Sequence, residues 1–203
     1  METRRLPGVF VFAVVLAITA ASATLPARAD NHFKIYAGPA YVAPMSDSDV
    51  SIGAIEDTLK AEDQVGWNFG VEFRPIQLFG IELDYVNATQ DVTFGGGTIG
   101  DTTFSPLTAT LNFHIVPTKI VDIYLGPSYS YVDWGEIHVN GGNDIPTDKS
   151  HSWGASFGID IGIGNHFAIC GGVKYLDVDL ELSDGQHADV KPLVGRLSAA
   201  FRF

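Results

Sequence analysis

From residue 33 to the last residue the chain alternates. In eight segments, 33–42, 65–74, 78–89, 102–115, 120–132, 151–163, 166–182 and 189–203, apolar side chains recur at every second position. A period of two belongs to a β-strand, whose successive side chains leave opposite faces. The odd-numbered set runs through Phe69, Val71 and Phe73, Ile81 and Leu83, and Leu107, Leu111 and Phe113, on to Leu197, Phe201 and Phe203. It carries no charge through the strand centres. The even-numbered set mixes Gly, Ser, Thr and Asn with the acids Glu72, Glu82, Asp84, Asp122 and Asp160 and the bases Lys34, Arg74, Lys174, Arg196 and Arg202. Eight such strands predict an all-β, antiparallel up-and-down barrel with one oily face and one charged face.

Alternation alone does not say which face points inward, because a soluble barrel fills its core with the apolar set and a membrane barrel turns it to lipid. Aromatic placement favours the membrane. Tyr41, Trp67, Tyr85, Tyr129, Tyr131, Trp153 and Tyr175 fall near one end of their strands, and Phe33, Phe73, Phe79, Phe113, Phe167, Phe201 and Phe203 near the other. Two aromatic belts with aliphatic residues between them mark a lipid-facing band. The connections add a direction. Those at 74–77, 116–119 and 164–166 are short, whereas 43–64, 90–101 and 133–150 are long and 183–188 is polar. Short periplasmic turns and longer extracellular loops are the asymmetry of an outer-membrane barrel. The charged residues then line the lumen, five of each sign, where they can compensate one another.

The chain's start fits export. Arg4 and Arg5, the apolar run Val9–Ala23 and the small residues Ala27 and Ala29 are the parts of a secretory signal, predicted to be cleaved before Asp30. The expected domains are a signal at 1–29 and a barrel at 30–203, in the outer membrane of a Gram-negative bacterium. Removing 29 of 203 residues leaves 174; three bases and Glu2 go with them, so 12 bases and 24 acids become 9 and 23, a net charge of −14. Such an acidic surface is unsuited to nucleic acid. Cys170 is the only cysteine, so no internal disulfide forms.

No catalytic motif is present. The histidines His32, His114, His138, His151, His166 and His187 lack ligand spacing, and Gly95–Gly97 reads as a flexible tip with no strand-to-helix context. The expectation is no enzyme, no metal and no cofactor. The outer connections hold twelve acids, Asp47, Asp49, Glu56, Asp57, Glu62, Asp63, Asp91, Asp133, Glu136, Asp144, Asp148 and Asp184, against Lys60 and Lys149. They form either a solvated anionic rim or a surface that bridges divalent cations to lipopolysaccharide phosphates or captures cationic ligands. Ile52, Ile55 and Leu59 have helical spacing and predict a short amphipathic helix over the barrel mouth. After Tyr175 the parity slips, with Asp177, Asp179 and Glu181 at odd positions and Val178, Leu180 and Leu182 at even ones; this predicts a bulge near Leu176 or emergence from the membrane.

Several stretches resemble the OmpW family of outer-membrane proteins: FSPLTATLNFHI (104–115) followed by VDIYLGPSYSYVDW (121–134), the hairpin SWGASFGIDIGIGNHFAICGGVKYLDVDLEL (152–182) and the final DVKPLVGRLSAAFRF (189–203). The resemblance covers about the last half of the chain. It implies an eight-stranded barrel with a narrow lumen, in contact with outer-membrane lipids and lipopolysaccharide, that passes or binds small, often hydrophobic molecules. It also implies that the terminal aromatic Phe203 is read by the outer-membrane assembly machinery. Inward Asp84 and Lys174 at mid-height depart from an open greasy channel and favour a plugged lumen or a lateral exit. A structural or surface-interaction barrel with a plugged lumen is the alternative.

Overall fold

The computed structural model of the chain describes residues 32–203 apart from 46–47, 53–54, 62, 95–96, 137, 140–148, 182–186 and 190. The segment read as a signal, the Gly95–Gly97 tip except Gly97, and Asp47, Glu62, Asp144, Asp148 and Asp184 of the outer acids lie outside the described residues.

The elements in chain order are β1 (Phe33–Ala43), β2 (Ser48–Ile52), β3 (Ile55–Ala61), β4 (Gln64–Ile76), β5 (Phe79–Phe94), β6 (Gly97–Pro117), β7 (Val121–Trp134), β8 (His138–Val139), β9 (Ser150–Ile163), β10 (Phe167–Asp177), β11 (Asp179–Glu181), β12 (His187–Asp189) and β13 (Leu193–Arg202). Eight of them form the wall. Strands β1, β4, β5, β6, β7, β9, β10 and β13 pair antiparallel, each with the next, and β13 returns to β1 with Lys34 opposite Arg202 and Ala43 opposite Leu193. At the seam Phe33 and Phe203 exchange backbone hydrogen bonds of 2.9 Å in both directions. Closure pairs the strand edges, which hydrocarbon requires.

Prolines interrupt the ladder locally. Pro39 has no N–H, and the β1–β13 register passes from Ala37↔Ala199 to Ala40↔Arg196. From inside the barrel the Asn68 amide donates to the Gly38 and Pro39 carbonyls at 3.0 and 2.9 Å and accepts from Ser198 Oγ at 2.8 Å, so the interrupted stretch is held by side chains.

The short connections are tight turns, at 77–78, 118–120 and 164–166, with Gly164 at φ 70°. The other end differs from the expected loops. Segment 90–101 is a continuation of the β5–β6 hairpin, paired as far as Phe94↔Gly97 through an irregularity at Val92/Thr93. Strand β6, 21 residues long, reaches about 70 Å at ~3.4 Å per residue, well beyond an apolar band about 25 Å tall. The helix expected around Ile52, Ile55 and Leu59 is instead the β2–β3 hairpin, whose Leu59–Ala61 pairs with Val92–Phe94 of β5. An edge of unpaired backbone groups on the projecting β5 recruits this segment as strand.

The bulge expected near Leu176 is also absent. Leu176↔Gly154 and Asp177↔Trp153 continue the β10–β9 register without a shift. Asp177 is exposed, while Leu176 and Val178 are buried inside. As far as Val178 the facing rule holds; the inward residues themselves change from polar to apolar.

Candidate functional site

The interior has two storeys. All ten charged residues expected in the lumen point inward: Lys34, Glu72, Glu82, Asp84, Asp122, Asp160, Lys174, Arg196 and Arg202 are buried and Arg74 is half-buried. They occupy the periplasmic side and the middle. A carboxylate taken from water without partners is very costly, so the pairing decides whether such an interior is tolerable.

Near the periplasmic turns Lys34 Nζ lies 2.7 Å from Glu72 Oε2 and 2.9 Å from Asp160 Oδ2, over the Tyr124 ring at 4.7 Å. Arg74 reaches Asp122 at 2.5 Å and Glu72 at 3.2 Å. His114 bridges the same two acids, with Nδ1 2.8 Å from Asp122 Oδ1 and Nε2 2.9 Å from Glu72 Oε1. Each ring nitrogen thus has a carboxylate oxygen within hydrogen-bond reach. Asn112 adds a donor to Glu72 at 3.1 Å.

Higher up, Arg196 grips Glu82 with both fork tips, at 3.1 and 2.9 Å, a bidentate pair. The same guanidinium stacks on Tyr36 at 4.5 Å and donates to the Tyr124 hydroxyl at 3.2 Å. Lys174 lies 2.9 Å from Glu82 and also pairs with Asp84. Tyr124 joins the two levels, because its hydroxyl accepts from Arg196 and donates to Asp160 at 3.0 Å. Inward glycines make room for the two rings: a Cβ on Gly70 would overlap Tyr36, and one on Gly158 would overlap Tyr124.

His114, Tyr36 and Tyr124 join the charged residues inside the barrel, where their even numbers place them on the inward face. Arg202 departs from the expectation that acids neutralise it. It is inside, 6% exposed, yet no described acid pairs with it, and its Nε and Nη2 are buried without a hydrogen-bond partner. The acids within the lower level are already held by Lys34, Arg74 and His114.

Above the ionic levels most inward positions are apolar, with the buried polar side chains of Gln90, Thr102, Ser130 and Ser152 among them. Ala40, Val42, Val86, Ala88, Val92, Phe104, Val132, Trp134, Leu176, Val178 and Val194 form one buried cluster, with the Phe104 and Trp134 rings 4.8 Å apart.

The outer wall is the reverse of the interior. Ile81, Leu111, Leu125, Phe157, Ile161 and Ile169 are exposed on the outer face. Of the aromatic set, Tyr41, Trp67, Tyr129, Trp153 and Tyr175 are exposed and Tyr85 and Tyr131 half-buried. Trp67 packs on Tyr85 at 5.4 Å and Tyr129 on Trp153 at 5.0 Å. At the turn end Phe33 meets Phe73 at 4.8 Å and Phe203 at 5.8 Å. A closed barrel with a charged interior and an aliphatic exterior between aromatic rims is built for a bilayer.

A family model described as outer membrane protein beta-barrel domain matches residues 10–203. The chain belongs to that family. Its place is the outer membrane of a Gram-negative bacterium.

Solved structures agree on the fold. OprG from Pseudomonas aeruginosa is 18% identical, with 85% of this chain and 96% of that one covered and a TM-score of 0.76. The outer-membrane protein AlkL, solved in lipid bilayers, is 12% identical over 89% and 95%, with a TM-score of 0.66. The E. coli outer membrane protein W is 21% identical over 85% and 98%, with a TM-score of 0.50. In fold, this family member is thus an OmpW-type barrel. No curated protein matches the chain.

Proposed function

We propose that this outer-membrane barrel takes small apolar molecules into its extracellular half, as a binding protein or passive conduit without chemistry, while the ionic levels below close the axis to water and ions. Residues 1–29 would be removed on export. The observation that carries the reading is the change of lining from the Lys174–Glu82–Arg196 level to Leu176, Val178, Phe104 and Trp134 within the same inward-facing rows. A guest that enters from outside passes a lining that is largely apolar, with Gln90 and Thr102 as polar exceptions, whereas a hydrated ion gains little there and meets ion pairs beneath.

The near-complete burial of the apolar cluster supports a second reading, a structural barrel that fills its own interior. Trp134 separates the two. With Trp67 and Trp153 replaced by Phe, Trp134 is the sole tryptophan. Conduit or binding activity predicts saturable quenching of its emission by a brominated alkane, and faster uptake of an apolar solute by vesicles that contain the protein than by empty ones. Unquenched emission together with uptake equal to that of empty vesicles would leave the structural reading standing.

A further inference from the structure

The outer faces of β7 and β9 carry a graded file of residues that the interior does not use. Leu125, Pro127, Ala155 and Phe157, with Val173 and Leu193, line a groove of about 560 Å³ in the wall. Pro127 lies opposite Ala155, and the next outward-facing pairs along the same two strands are Tyr129↔Trp153 and Tyr131↔His151. Trp153 is 70% exposed. Tyr129 Oη and His151 Nδ1 are 3.0 Å apart, and His151 is itself exposed. Lys149 and Asp133 stand at the head of the file, their side chains 57% and 45% exposed and 3.7 Å apart. Within little more than one strand length the surface passes from aliphatic to aromatic to cationic.

We propose that this file binds one phosphorylated glycolipid of the outer leaflet, with an acyl chain in the Pro127–Ala155 groove, its interfacial part on Tyr129 and Trp153, and a phosphate at Lys149. Position fixes the first half of the assignment, because the groove lies in the lipid-facing band and an acyl chain is what surrounds it. Small Ala155 between larger neighbours gives the chain a recess rather than a smooth wall. Charge fixes the second half. Against the acids of the outer connections, which repel anions, the Lys149 ammonium at the head of the acyl groove is the group that favours a phosphate there. The hydrogen bond to Tyr131 and the Asp133 carboxylate hold the Lys149 ammonium above its usual range, so it keeps its charge at neutral pH. Asp133 competes for that ammonium only loosely, as an exposed pair beyond hydrogen-bond reach does.

The test is native mass spectrometry of the folded full-length barrel in detergent, titrated with diphosphoryl lipid A and, in parallel, with the dephosphorylated lipid. One diphosphoryl lipid A retained per barrel is expected. Lys149→Ala should weaken its retention about fivefold and leave the dephosphorylated lipid unaffected, as loss of one surface cation near a lipid phosphate predicts. Asp133→Asn should strengthen retention, and Ala155→Trp, which fills the recess, should weaken both lipids. Equal retention of the two lipids by the wild type, indifference to Lys149→Ala, or barrel dimers without lipid that Ala155→Trp dissolves would each overturn the proposal, the last by making the groove a contact between copies.

Discussion

Arg196 and Arg202 share a face of the last strand and have opposite surroundings. Arg196 is held by Glu82 through two hydrogen bonds and by two tyrosines, whereas Arg202 has no described acid beside it. Breaking a buried pair from one side leaves a charge without a partner, at a cost of about 3–5 kcal/mol; removing a buried charge that has none is neutral or stabilising. Arg196→Met should therefore lower the midpoint of urea unfolding in lipid vesicles markedly, and Arg202→Met should leave it unchanged or raise it. Equal losses for the two would show that Arg202 is paired after all. Parity in the sequence was enough to turn both arginines inward. It could not tell them apart, because partners come from β5 and β7, and which rows meet across a lumen depends on strand tilt and register. The same holds for His114, which looked isolated among scattered histidines and sits between Glu72 and Asp122.

At the scale of the element, β10 shows what alternation does and does not report. The acids at odd positions after Tyr175 looked like a change of facing; the register with β9 runs straight on, and the change is in what the inside requires. Val178→Asp should thus bury a carboxylate in the apolar cluster and cost about 2 kcal/mol or more, while Asp177→Val, on the exposed face, should have little effect. Vesicle unfolding followed by tryptophan emission distinguishes this from a bulge at Leu176, for which the two substitutions would exchange effects. The wall strands were legible because each keeps a period of two over a full membrane crossing. The projecting hairpins were not, since above the membrane no lipid enforces the pattern. The spacing of Ile52, Ile55 and Leu59 fits a helix, and pairing with β5 overrides it.

For the whole molecule the sequence was clearest about the boundary between oil and interior, and least clear about the interior itself. Eight strands, closed by β1 on β13, leave a lumen that inward side chains can fill. The filling is layered: Lys34, Glu72, Arg74, His114, Asp122 and Asp160 below, Glu82, Asp84, Lys174 and Arg196 in the middle, and Phe104, Trp134, Leu176 and Val178 above. Tyr36 and Tyr124 lie among the ionic levels, their rings seated against Gly70 and Gly158. The central claim is that these levels close the axis. Single-channel recording of the purified protein in a planar bilayer tests it most directly. The wild type should be silent at either polarity, and conductance should appear when Glu82 and Arg196 are both replaced by alanine; steady ion current through the wild type, unchanged in that double variant, would contradict it.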